Sequence, residues 1–93
     1  MNLTSKEKRN LKSQANRLKP EVLIGKAGLT DGIVETSLNS LKTKELLKVK
    51  ILDSCEVGKT EIAERLSGHL KAEVIQILGN IILFYKKLPD TDR

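Results

Sequence analysis

The sequence predicts an α/β fold of the two-layer α+β kind, with three helices and four strands in the order α-β-α-β-α-β-β. Apolar residues recur with a helical period in three segments, and four short segments are either alternating or continuously apolar. Helix-length segments separate the first three strands, so right-handed crossovers should place both crossover helices on one face of a mixed sheet. Only two residues separate the last two strands, which predicts a hairpin. The chain should form one domain over residues 1–93.

The first helix is predicted by its N-terminal signal. Thr4 and Glu7 have the spacing of a capping box, in which each side chain bonds the backbone of the other residue. An apolar stripe of Leu11, Ala15 and Leu18 follows at helical spacing. The helix should end at about Leu18, because Pro20 disfavours helical geometry in the residue before it.

The first strand is predicted at Val22–Ile24, where three apolar residues in succession indicate burial on both faces. A glycine-bracketed loop, Gly25–Gly28, comes next. The second helix should run from about Asp31 to Thr43, with Thr30 as its N-cap. This order of strand, glycine loop and helix N-terminus is the part of the chain with the clearest functional meaning.

The second half of the chain supplies the remaining elements. Glu45 to Leu52 alternates between apolar and polar residues, as a half-buried strand does. A third helix should begin at Val57 or Lys59 and end at Leu70. Two strand-like runs, Glu73–Leu78 and Ile81–Lys86, flank a Gly79-Asn80 turn. The second run is apolar throughout and should lie inside the sheet, whereas the tail 88–93 should be frayed.

The charge of the chain is concentrated in its first third. The net charge is +5; residues 1–28 carry seven basic and two acidic side chains, and residues 29–93 carry ten of each. A one-sided basic excess is typical of proteins that bind a polyanion such as nucleic acid. A solvated helix face is the alternative, and an acidic membrane surface is a poorer one because the segment lacks a broad apolar face.

Composition also restricts the class of protein. Apolar residues make up 39% of the chain, enough for one modest core, and the lone Cys55 excludes an internal disulfide and a multi-cysteine metal site. No apolar run approaches the roughly 18 residues of a membrane span, and the N-terminus has no apolar signal region. We therefore expect a cytoplasmic protein that does not act on membranes.

The Gly25–Gly28 loop is a candidate phosphate-binding site. Two glycines allow a tight turn and a close approach to a ligand, and the next helix begins with unpaired amide groups and a partial positive charge. Lys26 and the loop amides would hold phosphates, while basic residues before the loop would attract RNA diffusely. The predicted RNA-binding residues are Gly25, Lys26, Ala27, Gly28, Thr30, Lys8, Arg9, Lys12, Arg17 and Lys19. A plain connecting turn is the alternative interpretation.

No catalytic or metal-binding arrangement is evident. Val57–Thr60 (VGKT) resembles the end of a P-loop, but that motif needs glycine at position 53, where aspartate stands, and the preceding strand that the motif requires is not expected. His69 is the only histidine and has no cysteine or histidine partner for a metal. We therefore expect no enzyme activity, no cofactor, no metal and no small-molecule substrate.

Four stretches together resemble a known family. They are Leu18–Pro20 (LKP), Ile24–Thr30 (IGKAGLT), Glu45–Lys50 (ELLKVK) and Val74–Gly79 (VIQILG). These residues are similar to the bacterial YhbY family, the stand-alone form of the CRM domain, an RNA-binding module. The resemblance covers about residues 3–87, which would be the folded core.

The resemblance implies a fold like that of the C-terminal domain of bacterial translation initiation factor three. It also implies RNA binding through the G-x-x-G loop, here Gly25–Gly28, and association with precursors of the large ribosomal subunit. Two positions differ from the family pattern. Many members have histidine where Lys44 stands, and several have a basic or polar residue where Ala27 stands.

The functional hypothesis is therefore a monomeric, non-catalytic protein that binds ribosomal RNA during assembly of the large subunit. Phe84 and Tyr85 are adjacent on one strand and point to opposite faces, so a base-stacking sheet is not expected. The rival hypotheses are a protein-binding adaptor in ribosome assembly and a DNA-binding architectural protein.

Overall fold

The computed structural model describes residues 4–87 and contains the predicted elements in the predicted order. The helices are α1 (Ser5–Ala15), α2 (Asp31–Ser40) and α3 (Lys59–Leu70), and the strands are β1 (Val22–Ile24), β2 (Leu46–Ile51), β3 (Glu73–Leu78) and β4 (Ile81–Tyr85). The fold class, three helices with a four-stranded mixed sheet, is confirmed. The tail 88–93, which was predicted to fray, lies outside the described residues.

The sheet has the strand order β1-β2-β4-β3. β1 pairs with β2 in parallel, and β4 is antiparallel to both of its neighbours, β2 and β3. The apolar strand β4 therefore lies inside the sheet, as predicted, and β1 and β3 form the two edges. Since β1, β2 and β3 all point the same way, the loops that follow them lie at one end of the sheet.

The larger core lies between the sheet and the two crossover helices. Alternate residues of the strands and the apolar faces of α2 and α3 meet there, and Phe84, Leu47 and Ile62 are fully buried. Both crossover helices thus cover one face, as predicted from the handedness of the connections. Most of the apolar burial that stabilises the fold is on this face.

Helix α1 lies on the opposite face, so the two-layer description is wrong in this respect. Its Ala15 and Leu11 pack on a smaller cluster formed by Leu46, Ile75 and Leu83. The sheet is therefore covered by helices on both sides. The sequence placed no constraint on α1, because it precedes the first strand and belongs to no crossover.

Lys48 of β2 connects the end of α1 to the sheet through hydrogen bonds. Its ammonium group donates hydrogen bonds of 3.1 Å to the carbonyl oxygens of Ala15 and Leu18, where the helix ends and the chain turns. A cation is favourable there because the carbonyl groups of a helix C-terminus carry a partial negative charge.

We expect Lys48→Met to lower the free energy of unfolding by about 1.5–3 kcal/mol, the usual worth of hydrogen bonds to a charged group. Methionine keeps the apolar stem but loses both bonds. Urea unfolding measures the change, and Lys50→Met, on the same face but without a hydrogen-bond partner within residues 4–87, is the matched control. Equal losses in the two variants would contradict the role given to Lys48.

The predicted ends of the elements differ slightly from the observed ones. α1 stops at Ala15 rather than Leu18, and α2 at Ser40 rather than Thr43. In both places the next amides bond the carbonyl three residues back, as in Leu18 N to Ala15 O (2.9 Å) and Lys42 N to Asn39 O (3.2 Å), so the chain continues as turns. The second and fourth strands are one or two residues shorter than predicted.

The prediction that β1 is buried on both faces is wrong. Val22 and Ile24 belong to the larger core, but Leu23 between them is 53% exposed. β1 is an edge strand. On the face where Leu23 lies, α1 packs against β2 and β3 rather than against β1. Three apolar residues in a row therefore did not indicate two-sided burial here.

A β-bulge in β3 was not predicted. The register with β4 shifts between Val74 and Gln76, so Ile75 is an extra residue on the β3 side. Leu78 is five positions after Glu73, and in a regular strand the two would face opposite sides. The bulge places Leu78 on the same face as Glu73, which is the face that carries α1.

Lys44 has a structural role. Its ammonium group lies 2.5 Å from the Glu21 carboxylate, to which Ser40 Oγ also donates a hydrogen bond of 2.9 Å. The hydrogen bond from Lys44 lowers the pKa of Glu21. The pair connects the entrance to β1 with the chain that follows α2.

Candidate nucleic-acid interface

The Gly25–Gly28 loop is a tight turn at the end of β1. The amide of Gly28 donates a hydrogen bond of 2.9 Å to the carbonyl oxygen of Gly25, which closes the turn. Lys26 and Ala27 occupy its exposed tip. Within residues 4–87, the amides of these two tip residues and the Lys26 ammonium group have no hydrogen-bond partner. The tip therefore presents two amide donors and a cation to solvent.

The two glycines are under different constraints. Gly28 has φ +72°, a backbone conformation that side chains disfavour, and it is buried. Gly25 has an ordinary φ, but a Cβ atom there would lie 3.2 Å from Ser54 Oγ. The sequence left the φ angle of Gly28 open, and the structure shows that it is positive.

We expect Gly28→Asp to lower stability by about 1 kcal/mol, because aspartate in the left-handed region is strained. It should also weaken any binding of an anion at the turn, since it brings a carboxylate next to the tip. Gly28→Asn has the same backbone strain without the charge. A thermal melt and an RNA mobility shift of both variants separate the two effects, and equal binding by Asp and Asn variants would contradict the electrostatic part.

Helix α2 begins directly after the turn. Thr30 is its N-cap, as predicted, and its hydroxyl accepts a hydrogen bond of 3.1 Å from the amide of Ile33. The cap fixes the direction in which the chain leaves the turn. Contact of Thr30 with RNA stays a prediction.

The loop between β2 and α3 packs against the turn. Leu52 N donates to Ile24 O at 2.8 Å, and a Cβ atom on Gly28 would lie 3.7 Å from a methyl group of Val57. Cys55 is half-buried in this loop, and its thiol donates to Val57 O at 3.4 Å. Sequence reasoning missed this packing, because it depends on two loops meeting at the same end of a parallel strand pair.

Lys59, the lysine of the P-loop-like Val57–Thr60 stretch, lies at the same end of the sheet as the turn. A strand does precede Gly58, since β2 ends at Ile51, so the sequence argument against a P-loop was wrong on that point. Asp53 still departs from the motif. Gly58 is the N-cap of α3, and Lys59 donates a hydrogen bond of 2.7 Å to Gly79 O in the β3–β4 turn. Lys59 therefore fixes the hairpin tip beside the loops.

This end of the sheet is not uniformly positive. Three exposed carboxylates, Asp31, Asp53 and Glu56, lie at the start of α2 and in the loop before α3. The net charge of the loops therefore does not by itself attract a polyanion. The chemistry that suits a phosphate is local to the turn tip, where Lys26 and the two unpaired amides lie.

The predicted basic residues before the loop are all exposed, and the structure divides them into two groups. Lys8, Arg9 and Lys12 are on α1, and Arg17 and Lys19 are in the connection to β1. The ion pairs within residues 4–87 are Lys44–Glu21 and Arg65–Glu61, so none of the five is neutralised by a carboxylate there. Lys12 lies beside Leu78 and Ile81, along the rim of a small cavity on the α1 face.

The opposite end of the α1 face is acidic. Burial raises the pKa of the Tyr85 hydroxyl, and the nearby carboxylates of Glu45, Glu7 and Glu73 raise it further. These carboxylates gather near the start of β2 and β3, away from the loops. On the α1 face, Lys12 and Lys50 therefore lie toward the loop end and these three glutamates toward the other.

Within residues 4–87 no group of three or more His, Cys, Asp or Glu side chains is placed to hold a metal ion. None of the helices described there is long and apolar enough to cross a membrane. His69 is exposed in the last turn of α3.

Comparison with known proteins gives consistent results. YqeI of Bacillus subtilis, named a probable RNA-binding protein, is 38% identical over 85 residues, which are 91% of this chain and 88% of YqeI. A protein of Haemophilus influenzae named an RNA-binding protein is 34% identical over 90% of this chain and 85% of its own length. The solution structure of a hypothetical protein from Staphylococcus aureus, described as a candidate RNA-binding protein, superposes with a TM-score of 0.79 at 33% identity, covering 98% of this chain and 95% of that one.

The family model that matches is that of the CRS1 / YhbY (CRM) domain, over residues 3–86. The match includes the turn, α1 and all four strands. The resemblance seen in the sequence is confirmed, and this chain belongs to the CRS1 / YhbY (CRM) domain family.

Proposed function

We propose that this protein binds RNA without catalysing a reaction on it, through the turn at Gly25–Gly28 and the exposed basic residues of α1. The observation that carries the proposal is the turn tip, where Lys26 and two unpaired amides face solvent. Amides and a lysine at a glycine turn suit phosphate oxygens, as in the G-x-x-G loop of KH domains. The names of the relatives support RNA as the partner.

The two parts of the surface would act differently. The turn would hold a phosphate at one place through directed hydrogen bonds, whereas Lys8, Arg9 and Lys12 would attract the backbone over a wider area. Neither part reads base edges. Recognition would therefore follow the shape and backbone of a structured RNA more than its sequence.

The RNA we propose is ribosomal RNA in the precursor of the large subunit, bound by a monomer in the cytoplasm. This finer proposal rests on the resemblance to the bacterial YhbY family. Sedimentation of cell extracts on sucrose gradients, with and without ribonuclease, tests it. We expect the protein to migrate with large-subunit precursors and to lose that migration after ribonuclease. Migration with a protein complex that survives ribonuclease would favour an adaptor, and equal affinity for duplex DNA would favour an architectural role.

The salt dependence of binding tests the contribution of α1. Replacing Lys8, Arg9 and Lys12 with glutamine should weaken binding to unrelated structured RNAs by similar factors. The slope of log affinity against log salt should flatten by up to about one unit for each phosphate that the variant no longer neutralises. Fluorescence anisotropy at a series of salt concentrations gives the slope.

A matched control removes the same charge elsewhere. Lys42, Lys86 and Lys87 line a cavity of about 470 Å³ near the end of α2, away from the turn. Glutamine at these three positions lowers the net charge equally. If both triple variants flatten the slope by the same amount, α1 is only a solvated face and attraction depends on net charge alone.

A further inference from the structure

A row of four side chains crosses the sheet on the α1 face beside the turn. Leu23, Lys50, Ile81 and Leu78 are register partners across β1, β2, β4 and β3. Three strand spacings make this row about 14 Å wide. We call it the Leu23–Leu78 row. Its first member lies two residues before Gly25, so the row and the turn are adjacent.

The row is largely uncovered. Leu23 is 53% exposed and Leu78 is 68% exposed, while Lys50 is exposed and Ile81 half-buried. Helix α1 packs on positions farther along the strands, including Leu83 and Leu46, and its end borders the row at a small cavity. Isolated exposed leucines are common on protein surfaces. Here Leu78 and Ile81 are direct register neighbours, and Leu23 lies on the same row across Lys50.

The bulge in β3 creates half of this patch. Leu78 faces the α1 side only because the extra residue at Ile75 shifts the alternation of the strand. The neighbouring Ile77 pairs with Ile82 and faces the other side. A regular strand would exchange the faces of these two residues.

Charge indicates what the row would contact. Lys50 lies within it, and Lys12 borders it through a cavity of about 110 Å³ shared with Leu78 and Ile81. The glutamates of this face gather around Tyr85 at the far end. Along β1 the carboxylate next to the row, Glu21, is paired with Lys44, whereas the exposed carboxylate of Asp53 follows β2 in the loop at this end of the sheet. A strip of apolar side chains with Lys50 within it and Lys12 at its border suits a ligand with flat apolar faces and negative charges along one side.

The cavity is too small to enclose a free small molecule, since ligand pockets are usually about 300–1,000 Å³. The open strip instead suits a chain of nucleotides lying across it. We propose that the Leu23–Leu78 row contacts the bases of a short unpaired RNA segment that continues from the phosphate held at the turn, with Lys12 and Lys50 on its phosphates. This proposal rests on the proposed RNA-binding function.

The test compares two RNAs, a hairpin and the same hairpin with a single-stranded extension. We expect the wild-type protein to bind the extended RNA more tightly. The double variant Leu23→Ser, Leu78→Ser should lose about fivefold or more in affinity for the extended RNA and less than about twofold for the hairpin, because unpaired bases contribute mainly through their faces. Both leucines are exposed, so the variant should keep its melting temperature.

Ile77→Ser is the matched control, since Ile77 is 36% exposed but faces the other side. Lys50→Gln should reproduce part of the loss without removing apolar surface. If the double variant binds the extended RNA as tightly as the wild type does, the row does not contact RNA, and the proposed function is unaffected. If the wild type binds neither RNA, both proposals are overturned. If the row instead mediates self-association, sedimentation equilibrium will show a dimer that the double variant lacks, which also overturns the proposal.

Discussion

Lys26→Asp should weaken binding to structured RNA by more than about tenfold while leaving the melting temperature unchanged. Loss of one hydrogen bond to a charged group costs about 1.5–3 kcal/mol, and each 1.4 kcal/mol is a factor of ten in affinity. Aspartate should cost more than alanine, because it places a like charge against the phosphate. Stability should be preserved, since Lys26 is exposed and makes no hydrogen bond or ion pair within residues 4–87.

An RNA mobility shift beside a thermal melt measures both quantities. Lys42→Asp provides the matched control, because it makes the same change in charge at an exposed position near the other end of α2, about 15 Å along the helix axis. Full RNA affinity in Lys26→Asp, with an unchanged melt, would show that the turn is only a connection and that RNA binds elsewhere.

Phe84→Ala should lower the free energy of unfolding by about 3–5 kcal/mol, the usual cost of removing a fully buried aromatic ring. Phe84 is 0% exposed, lies on the central strand β4 and packs in the larger core beneath α2 and α3. Domains of this kind are stable by about 5–15 kcal/mol in total, so this single change removes a large part of the stability. Urea unfolding followed by circular dichroism gives the value.

Tyr85→Ala is the comparison, because Tyr85 is the next residue on the same strand and faces α1. Its ring is half-buried beside the smaller cluster, so its removal should cost less. A greater loss for Tyr85 than for Phe84 would mean that the α1 face, not the α2–α3 face, holds the main core.

The fold was largely predictable because its signals are local. The capping box at Thr4 and Glu7, the alternation in β2 and the Gly79-Asn80 turn each specify an element from neighbouring residues, and the structure contains all three. Parallel crossovers then placed α2 and α3 on one face. The face on which α1 lies, the exposure of Leu23 and the bulge at Ile75 could not be predicted, because they depend on which distant element covers each strand.

The candidate site was predictable in its position but not in its construction. The turn, Lys26 and the cap at Thr30 follow from the order of strand, glycine loop and helix. Ser54 and Val57, which lie where Cβ atoms on the two glycines would point, belong to a loop far from the turn in sequence. Lys59, which the sequence placed only at the start of a helix, positions the hairpin beside the turn, and no local pattern indicated that role.

The small cluster beneath α1 has a consequence for hydrogen exchange. The helix is held by a few apolar contacts and the two bonds from Lys48, whereas α2 and α3 pack with the sheet in the larger core. Units with less burial open at lower free energy than the whole molecule. We therefore expect the amides of α1 to exchange with solvent through a local opening that leaves the sheet, α2 and α3 protected. A polyanion held by both α1 and the turn would oppose that opening, so the exchange rate of α1 is itself a measure of occupancy.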